Sequence, residues 1–184
     1  MSMETNLCVA GFGGQGVMTL GKFLAEAACD DRSKNVTFFP SYGAEQRGGT
    51  ANCYVVISDE EIGAPVFTNM DDLIVMNEPS LDKFLPRLKK GGRLFVNSSI
   101  VKAEIGRDDI TVVKAPVTDM ALELGSGKVL NVLMLGVYVG YTAVLDEKLV
   151  WNLVEHKLGS KVELLEMNRS AFEQGLKLGK EVRE

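Results

Sequence analysis

The stretch "AGFGGQGVMT" (residues 10–19) decides how the chain begins to fold. It carries Gly11-x-Gly13-x-x-Gly16, the spacing of a dinucleotide-binding turn, which needs a strand before it and a helix after it. Both are present. "NLCVAGF" is a short apolar run that ends in glycines, as a buried strand does. From Gln15 onward the period becomes helical: Val17, Leu20, Leu24 and Ala27/Ala28 share one face, and Lys22 and Glu26 pair at i,i+4 on another. "NVTFFP" then reads as a second strand, rich in β-branched and aromatic residues and stopped by Pro40. Strand, glycine turn, helix and strand form a βαβ unit, whose right-handed crossover implies a parallel sheet.

A nicotinamide site also needs an acidic residue at the end of the second strand to bind the ribose hydroxyls. Asp30 and Asp31 precede that strand, and Pro40-Ser41-Tyr42 follow it with no carboxylate. NAD is therefore not the expected ligand. Two readings of the turn stay open: free backbone N–H groups at a helix N-terminus that hold an anion, or glycines that simply permit a tight turn.

At 184 residues the chain can bury roughly 70% of its unfolded surface as one domain, residues 1–184. Acidic residues outnumber basic ones 25 to 20, for a net charge of -5. That balance excludes a duplex nucleic-acid binder, which needs a concentrated basic face. The one basic cluster, Lys89-Lys90 with Arg87 and Arg93, reads as a solvated helix end. The N-terminus lacks a basic segment followed by a long apolar one, and so has no secretory signal. The longest apolar run, "VLNVLMLGVYVGYTAVL", is about 17 residues and is interrupted by Asn131, so it reads as a buried helix and not a membrane span. Cys8, Cys29 and Cys53 are scattered, as in the reduced thiols of a cytoplasmic protein. An ordinary iron–sulfur cluster needs about four thiolates, more than this chain has.

Further strands are expected at "ANCYVVIS", "DDLIVMN", "RLFVNSS" and "ITVVKAP". A helix over "SLDKFLPRLKK" is shortened or kinked by Pro86 and ended by Gly91-Gly92. The C-terminal third is helical: "VTDMALEL", the run after Val129, "EKLVWNLVEHKL" and "VELLEMNRSAFEQGLKLGKEV". This predicts an α/β fold, a Rossmann-like open, mostly parallel sheet with helices on both faces and a helical C-terminal region.

The second polar feature, "SYGAEQRGGTAN", follows the second strand and belongs on the same carboxyl edge as the glycine turn. Arg47 has the chemistry to clamp a phosphate or carboxylate, or to pair with Glu45. No catalytic set is visible. His156, the single histidine, lies near a helix end where a dipole role suffices, and Ser98-Ser99 form a strand-end turn. Gly136-xxx-Gly140 permits close helix packing, preferred here within the chain.

Taken in order, "GFGGQGVMTLGKFLAEAA", "FFPSYGAEQRGGTANCYVVIS", "DLIVMNEPSLDKF", "GGRLFVNSSIV" and "NVLMLGVYVG" closely resemble the gamma subunit of 2-oxoacid:ferredoxin oxidoreductases, of the 2-oxoglutarate or branched-chain class. The resemblance implies a single gamma-type domain in a multisubunit enzyme. That enzyme decarboxylates a 2-oxoacid, with 2-oxoglutarate expected, forms the acyl-coenzyme A and reduces ferredoxin. Thiamine diphosphate, magnesium and iron–sulfur clusters would belong to alpha and beta subunits and to a ferredoxin-like delta subunit or ferredoxin, leaving none for this chain. Isolated, it would be inactive, with a homodimer as one state open to it. Gly13, Gly14, Gln15 and Gly16 match the family's first loop, and Tyr42, Glu45, Arg47, Gly48 and Gly49 its second. Together they are expected to face coenzyme A or a partner subunit. Gln46 departs from the apolar residue more usual there. The alternative is a stand-alone nucleotide-binding or sensing domain without catalysis.

Overall fold

The computed structural model describes residues 3–42, 50–159 and 162–184, without the side chain of Tyr42. The strands are β1 (Glu4–Phe12), β2 (Asn35–Tyr42), β3 (Thr50–Ser58), β4 (Met70–Val75), β5 (Leu88–Asn97) and β6 (Thr111–Ala115). The helices are α1 (Val17–Asp30), α2 (Glu78–Phe84), α3 (Val117–Glu123), α4 (Leu130–Thr142), α5 (Glu147–Leu158) and α6 (Val162–Arg183). The strands form one sheet in the order β2-β3-β1-β4-β5-β6.

The sheet is mixed. β4 lies parallel beside β1 (Val9↔Ile74), β5 beside β4 (Leu73↔Leu94) and β6 beside β5 (Phe95↔Val113). β3 runs antiparallel to both β1 (Leu7↔Val55) and β2 (Phe38↔Val55). Five strands therefore point one way and β3 the other. The expected crossover does bring β2 parallel to β1, but β3 sits between them. Chain length explains this: residues 43–49 are too few for a crossover, which needs about a dozen, so the strand that follows β2 must return antiparallel beside it.

Alternation along the strands divides the core. Leu7, Val9, Cys53, Val55, Ile57, Ile74 and Phe95 face α1 and α3–α6, whereas Cys8, Ala10, Tyr54, Leu73, Val75, Leu94 and Val96 face α2. Helices occupy both faces, but unevenly. The predicted inner face of α1 is buried throughout: Val17, Leu20, Leu24, Ala27 and Ala28. Every residue from Val132 to Gly140 of α4 is buried as well, as its apolar circumference requires.

α4 and α6 meet backbone to backbone. A Cβ on Gly136 would strike the Phe172 carbonyl, one on Gly140 the Leu176 carbonyl, one on Gly175 the Leu133 carbonyl and one on Gly179 the Val137 carbonyl. The Gly136-xxx-Gly140 spacing therefore serves internal packing, and its partner is a second glycine pair on α6. No described helix is long and apolar enough to cross a membrane.

One helix ends earlier than its sequence pattern suggests. α2 stops at Phe84, Leu85–Arg87 form a 3-10 turn, and Leu88 already pairs with Met70 as the start of β5. Pro86 has no N–H with which to continue the helix. Gly91 and Gly92 thus lie inside β5, where Gly91 takes φ 76° and the register with β4 slips. The basic cluster is consequently a strand start and not a solvated helix end. Arg87 donates to the Thr68 and Phe67 carbonyls, Lys89 pairs with Asp71 at 2.7 Å and Arg93 with Asp72 at 2.6 Å.

Candidate functional site

At the carboxyl edge of the sheet the chain leaves β1 through the glycine turn. Each glycine there meets a different requirement. Gly11 is the close-packed one: a Cβ would lie 2.7 Å from Gln15 Oε1 and 2.9 Å from the Met76 Cβ and the Val17 Cγ1. Gly14 needs its φ of 95°, and Gly16 needs its φ of 72° as the N-cap of α1. A Cβ on Gly16 would also lie 2.7–2.8 Å from the Asn131 amide of α4. Gly13 would meet no described atom within 4 Å, so it faces outward. Gly16 thus lies against α4, and the tight approach between β1, Met76 and α1 belongs to Gly11.

Gln15 is held by the backbone. Its Oε1 accepts the Phe12 N–H at 2.7 Å and its Nε2 donates to the Met76 carbonyl at 3.0 Å. Asn77, 1% exposed, donates to the same Oε1 at 3.4 Å and caps α2 by accepting the Ser80 N–H at 2.9 Å. The sequence places Asn77-Glu78-Pro79-Ser80 as the exit from a strand into a helix, a start that Asn and Pro suit, but assigns Asn77 no part in the site. Asn131 is visible in the sequence only as a lone amide interrupting an apolar run, with no sign that it meets Gly16. Farther along the edge, Asn97 donates to Thr118 Oγ1 at 2.9 Å, and Ser99 Oγ accepts the Asp119 N–H at 3.0 Å.

The second loop arrives at the same edge. Phe12 pairs with Thr50 and Gly11 with Ala51, while Tyr42 pairs with Ala51 from the other side. The two ends of the segment 43–49 are therefore anchored beside the glycine turn. Glu45, Gln46, Arg47, Gly48 and Gly49, with the Tyr42 side chain, lie outside the described residues.

What this edge offers chemically is donors. α1 begins with no side-chain cap and no acidic residue in its first turn, an electrostatic setting that favours an anion. His156 sits in the last turn of α5, and among the described residues no three His, Cys, Asp or Glu side chains are grouped to hold a metal. The cysteines cannot share a cluster: Cys8 faces α2, Cys53 faces α1 from the opposite side of the sheet, and Cys29 is exposed on α1. Burial pushes the Cys8 thiol up and pushes Cys53 up to about 12, so both are inert structural thiols.

Among the described residues, the ion pair with a fully buried carboxylate lies at the opposite, amino edge. Fully buried Asp72 takes two hydrogen bonds from Arg93, at 2.6 and 2.7 Å, and one from Tyr138 Oη of α4 at 2.7 Å. Burial pushes the Asp72 carboxyl up, against the pull of Arg93. This arrangement ties α4 to the β4–β5 pair and has no nucleophile–base geometry.

Residues 6–178 match the family described as pyruvate ferredoxin/flavodoxin oxidoreductase. The ketoisovalerate oxidoreductase subunit VorA of Methanothermobacter marburgensis is 35% identical over 94% of this chain; the match spans 36% of VorA, so this chain corresponds to about a third of its length. The keto/oxoacid ferredoxin oxidoreductase gamma subunit of Geobacter sulfurreducens is 28% identical with a TM-score of 0.85, over 99% of both chains. The 2-oxoglutarate:ferredoxin oxidoreductase of Magnetococcus marinus, solved with 2-oxoglutarate, coenzyme A and succinyl-CoA, is 25% identical with a TM-score of 0.88 over 97% of this chain and 31% of that one. The glycine turn, the mixed sheet and these matches lead to one assignment: the chain belongs to the pyruvate ferredoxin/flavodoxin oxidoreductase family and corresponds to its gamma subunit.

Proposed function

We propose that this chain is the gamma component of a multisubunit 2-oxoacid:ferredoxin oxidoreductase, and that its carboxyl edge faces coenzyme A or the neighbouring subunit. The reaction is the oxidative decarboxylation of a 2-oxoacid to its acyl-coenzyme A, with ferredoxin reduced. The observation that carries the reading is the register Phe12↔Thr50 and Tyr42↔Ala51, which anchors both family loops at the uncapped start of α1. Gly13, Gly14 and Gly16 supply backbone there and Gln15 holds it, while Tyr42, Glu45, Arg47, Gly48 and Gly49 are the residues that match the family's second loop and join this proposal on that likeness. Coenzyme A bound to the Magnetococcus enzyme supports an anionic ligand of this class.

The three thiols here diverge, which supports iron–sulfur clusters held by partner subunits; thiamine diphosphate and magnesium are assigned to alpha and beta partners by the family likeness. The isolated chain is then catalytically inactive and acts in the cytoplasm with those partners. 2-Oxoglutarate is the favoured substrate; the likeness to the ketoisovalerate subunit makes a branched-chain 2-oxoacid the competing one.

The test is reconstitution with the partner subunits, following 2-oxoacid- and coenzyme A-dependent reduction of ferredoxin or a viologen dye. Omission of this chain should abolish turnover. Arg47→Ala should weaken coenzyme A use or association by about 1.5–3 kcal/mol, the range for hydrogen bonds to charged groups. A raised coenzyme A half-saturation identifies the ligand, and a raised requirement for this chain identifies the interface. Full activity without the chain would refute the proposal.

A further inference from the structure

Gln15 is the only long side chain in the turn Gly13-Gly14-Gln15-Gly16, and its amide is occupied within the chain. One end needs an acceptor, for the Phe12 N–H; the other needs a donor, for the Met76 carbonyl. Only a neutral amide of that length supplies both. Phe12 ends β1 and Met76 follows β4, its parallel neighbour, so one side chain fastens the exits of two strands. Asn77 adds a contact to the same oxygen and caps α2, which joins the start of that helix to the turn. On the other side, the Asn131 amide lies over Gly16. Gly13 and Gly14 thus project from a frame fixed at both ends, with no described atom near either Cβ position.

We propose that Gln15 is a positioning residue that touches neither ligand nor partner: it fixes the shape in which the Gly13-Gly14 backbone meets them. The proposal rests on the reading that the carboxyl edge is the working surface, and the experiment separates the two. Gln15→Leu removes both hydrogen bonds at similar size. Gln15→Glu keeps the acceptor for Phe12 and loses the donor to Met76. Gly13→Val alters the outward surface, where no described atom lies within 4 Å of the added Cβ, and so tests the working-surface reading.

In the reconstituted enzyme, Gln15→Leu should raise the half-saturation for coenzyme A, or for this chain, about ten-fold, the equivalent of one to two lost hydrogen bonds. kcat at saturation should fall far less. Gln15→Glu should lie between Leu and the parent. In the isolated chain, the Phe12 amide should exchange faster and shift in the NMR spectrum of Gln15→Leu, the signature of a released turn. If Gln15→Leu does not fold, Gln15→Glu carries the same comparison. Should Gly13→Val raise a half-saturation while the Gln15 variants match the parent, the positioning role is overturned and the working surface stands. Should Gly13→Val also match the parent, the working-surface reading falls and the proposal with it. A raised half-saturation with the Phe12 amide unmoved would mean that Gln15 meets the ligand itself, which also overturns the proposal.

Discussion

Replacing Gly175 by alanine probes the α4–α6 contact with a single methyl group. On an open helix face the change would stabilise, because alanine exceeds glycine in helix propensity by about 1 kcal/mol. Here the new Cβ would collide with the Leu133 carbonyl and lie 3.0 Å from the Val137 nitrogen and 3.1 Å from the Gly136 Cα. All three are backbone atoms of α4, so no rotamer change relieves them and the helices must move apart. Overpacking in a rigid site costs about 1–3 kcal/mol, and an obstacle made only of backbone belongs at the upper end. Set against the propensity gain, the net loss is about 2 kcal/mol. For a chain of this length that lowers Tm by roughly 4–8 °C. The assay is thermal denaturation by circular dichroism beside the exposed α6 control Gln174→Ala, which should stay within about 0.5 kcal/mol of the parent. A Gly175→Ala variant that melts at or above the parent temperature would refute the backbone contact.

Other perturbations test other parts of the molecule. Tyr138→Phe removes a buried hydrogen bond to Asp72 and should cost about 1–3 kcal/mol in urea denaturation; an unchanged midpoint would show that Arg93 alone satisfies the carboxylate. Native protein should titrate one thiol, Cys29, with dithionitrobenzoate at pH 8 and all three after denaturation, since Cys8 and Cys53 are buried; more than one fast thiol would contradict that burial. Burial pushes the Asp71 carboxyl up, but hydrogen bonds from Lys89 and Asn6 outweigh it and hold the group below its usual value. Its native form therefore binds a proton less readily than the unfolded one. The resulting stability is present above the unfolded pKa of about 3.9 and lost as pH falls through the lower native value. Asp71→Asn should accordingly lose less stability than the parent in urea melts between pH 5 and 3, and equal slopes would refute the contribution.

What was legible in the sequence was local. The 3.6-residue period placed Val17, Leu20 and Leu24 correctly inside, and the apolar circumference of the helix after Val129 announced its burial. The antiparallel place of β3 was less visible, because strand order depends on which distant strands pair; the connection length of residues 43–49 was the only local hint. The same limit applies to the site. The glycine pattern marked the turn, but which glycine is crowded depends on Met76 and Asn131, more than sixty residues away. Gln15 lies in the turn that the glycine pattern marks, while its partners Met76 and Asn77 come from the exit of another strand.

In the proposed assembly the carboxyl edge meets the rest of the enzyme. Hydrogen-exchange mass spectrometry of this chain, alone and mixed with its partner subunits and coenzyme A, tests it most directly. The expected result is protection on assembly in peptides covering residues 11–19 and 42–52, with little change at residues 70–72 and 88–93 on the amino edge. Protection confined to the amino edge, with the glycine turn exchanging as in the free chain, would contradict the claim.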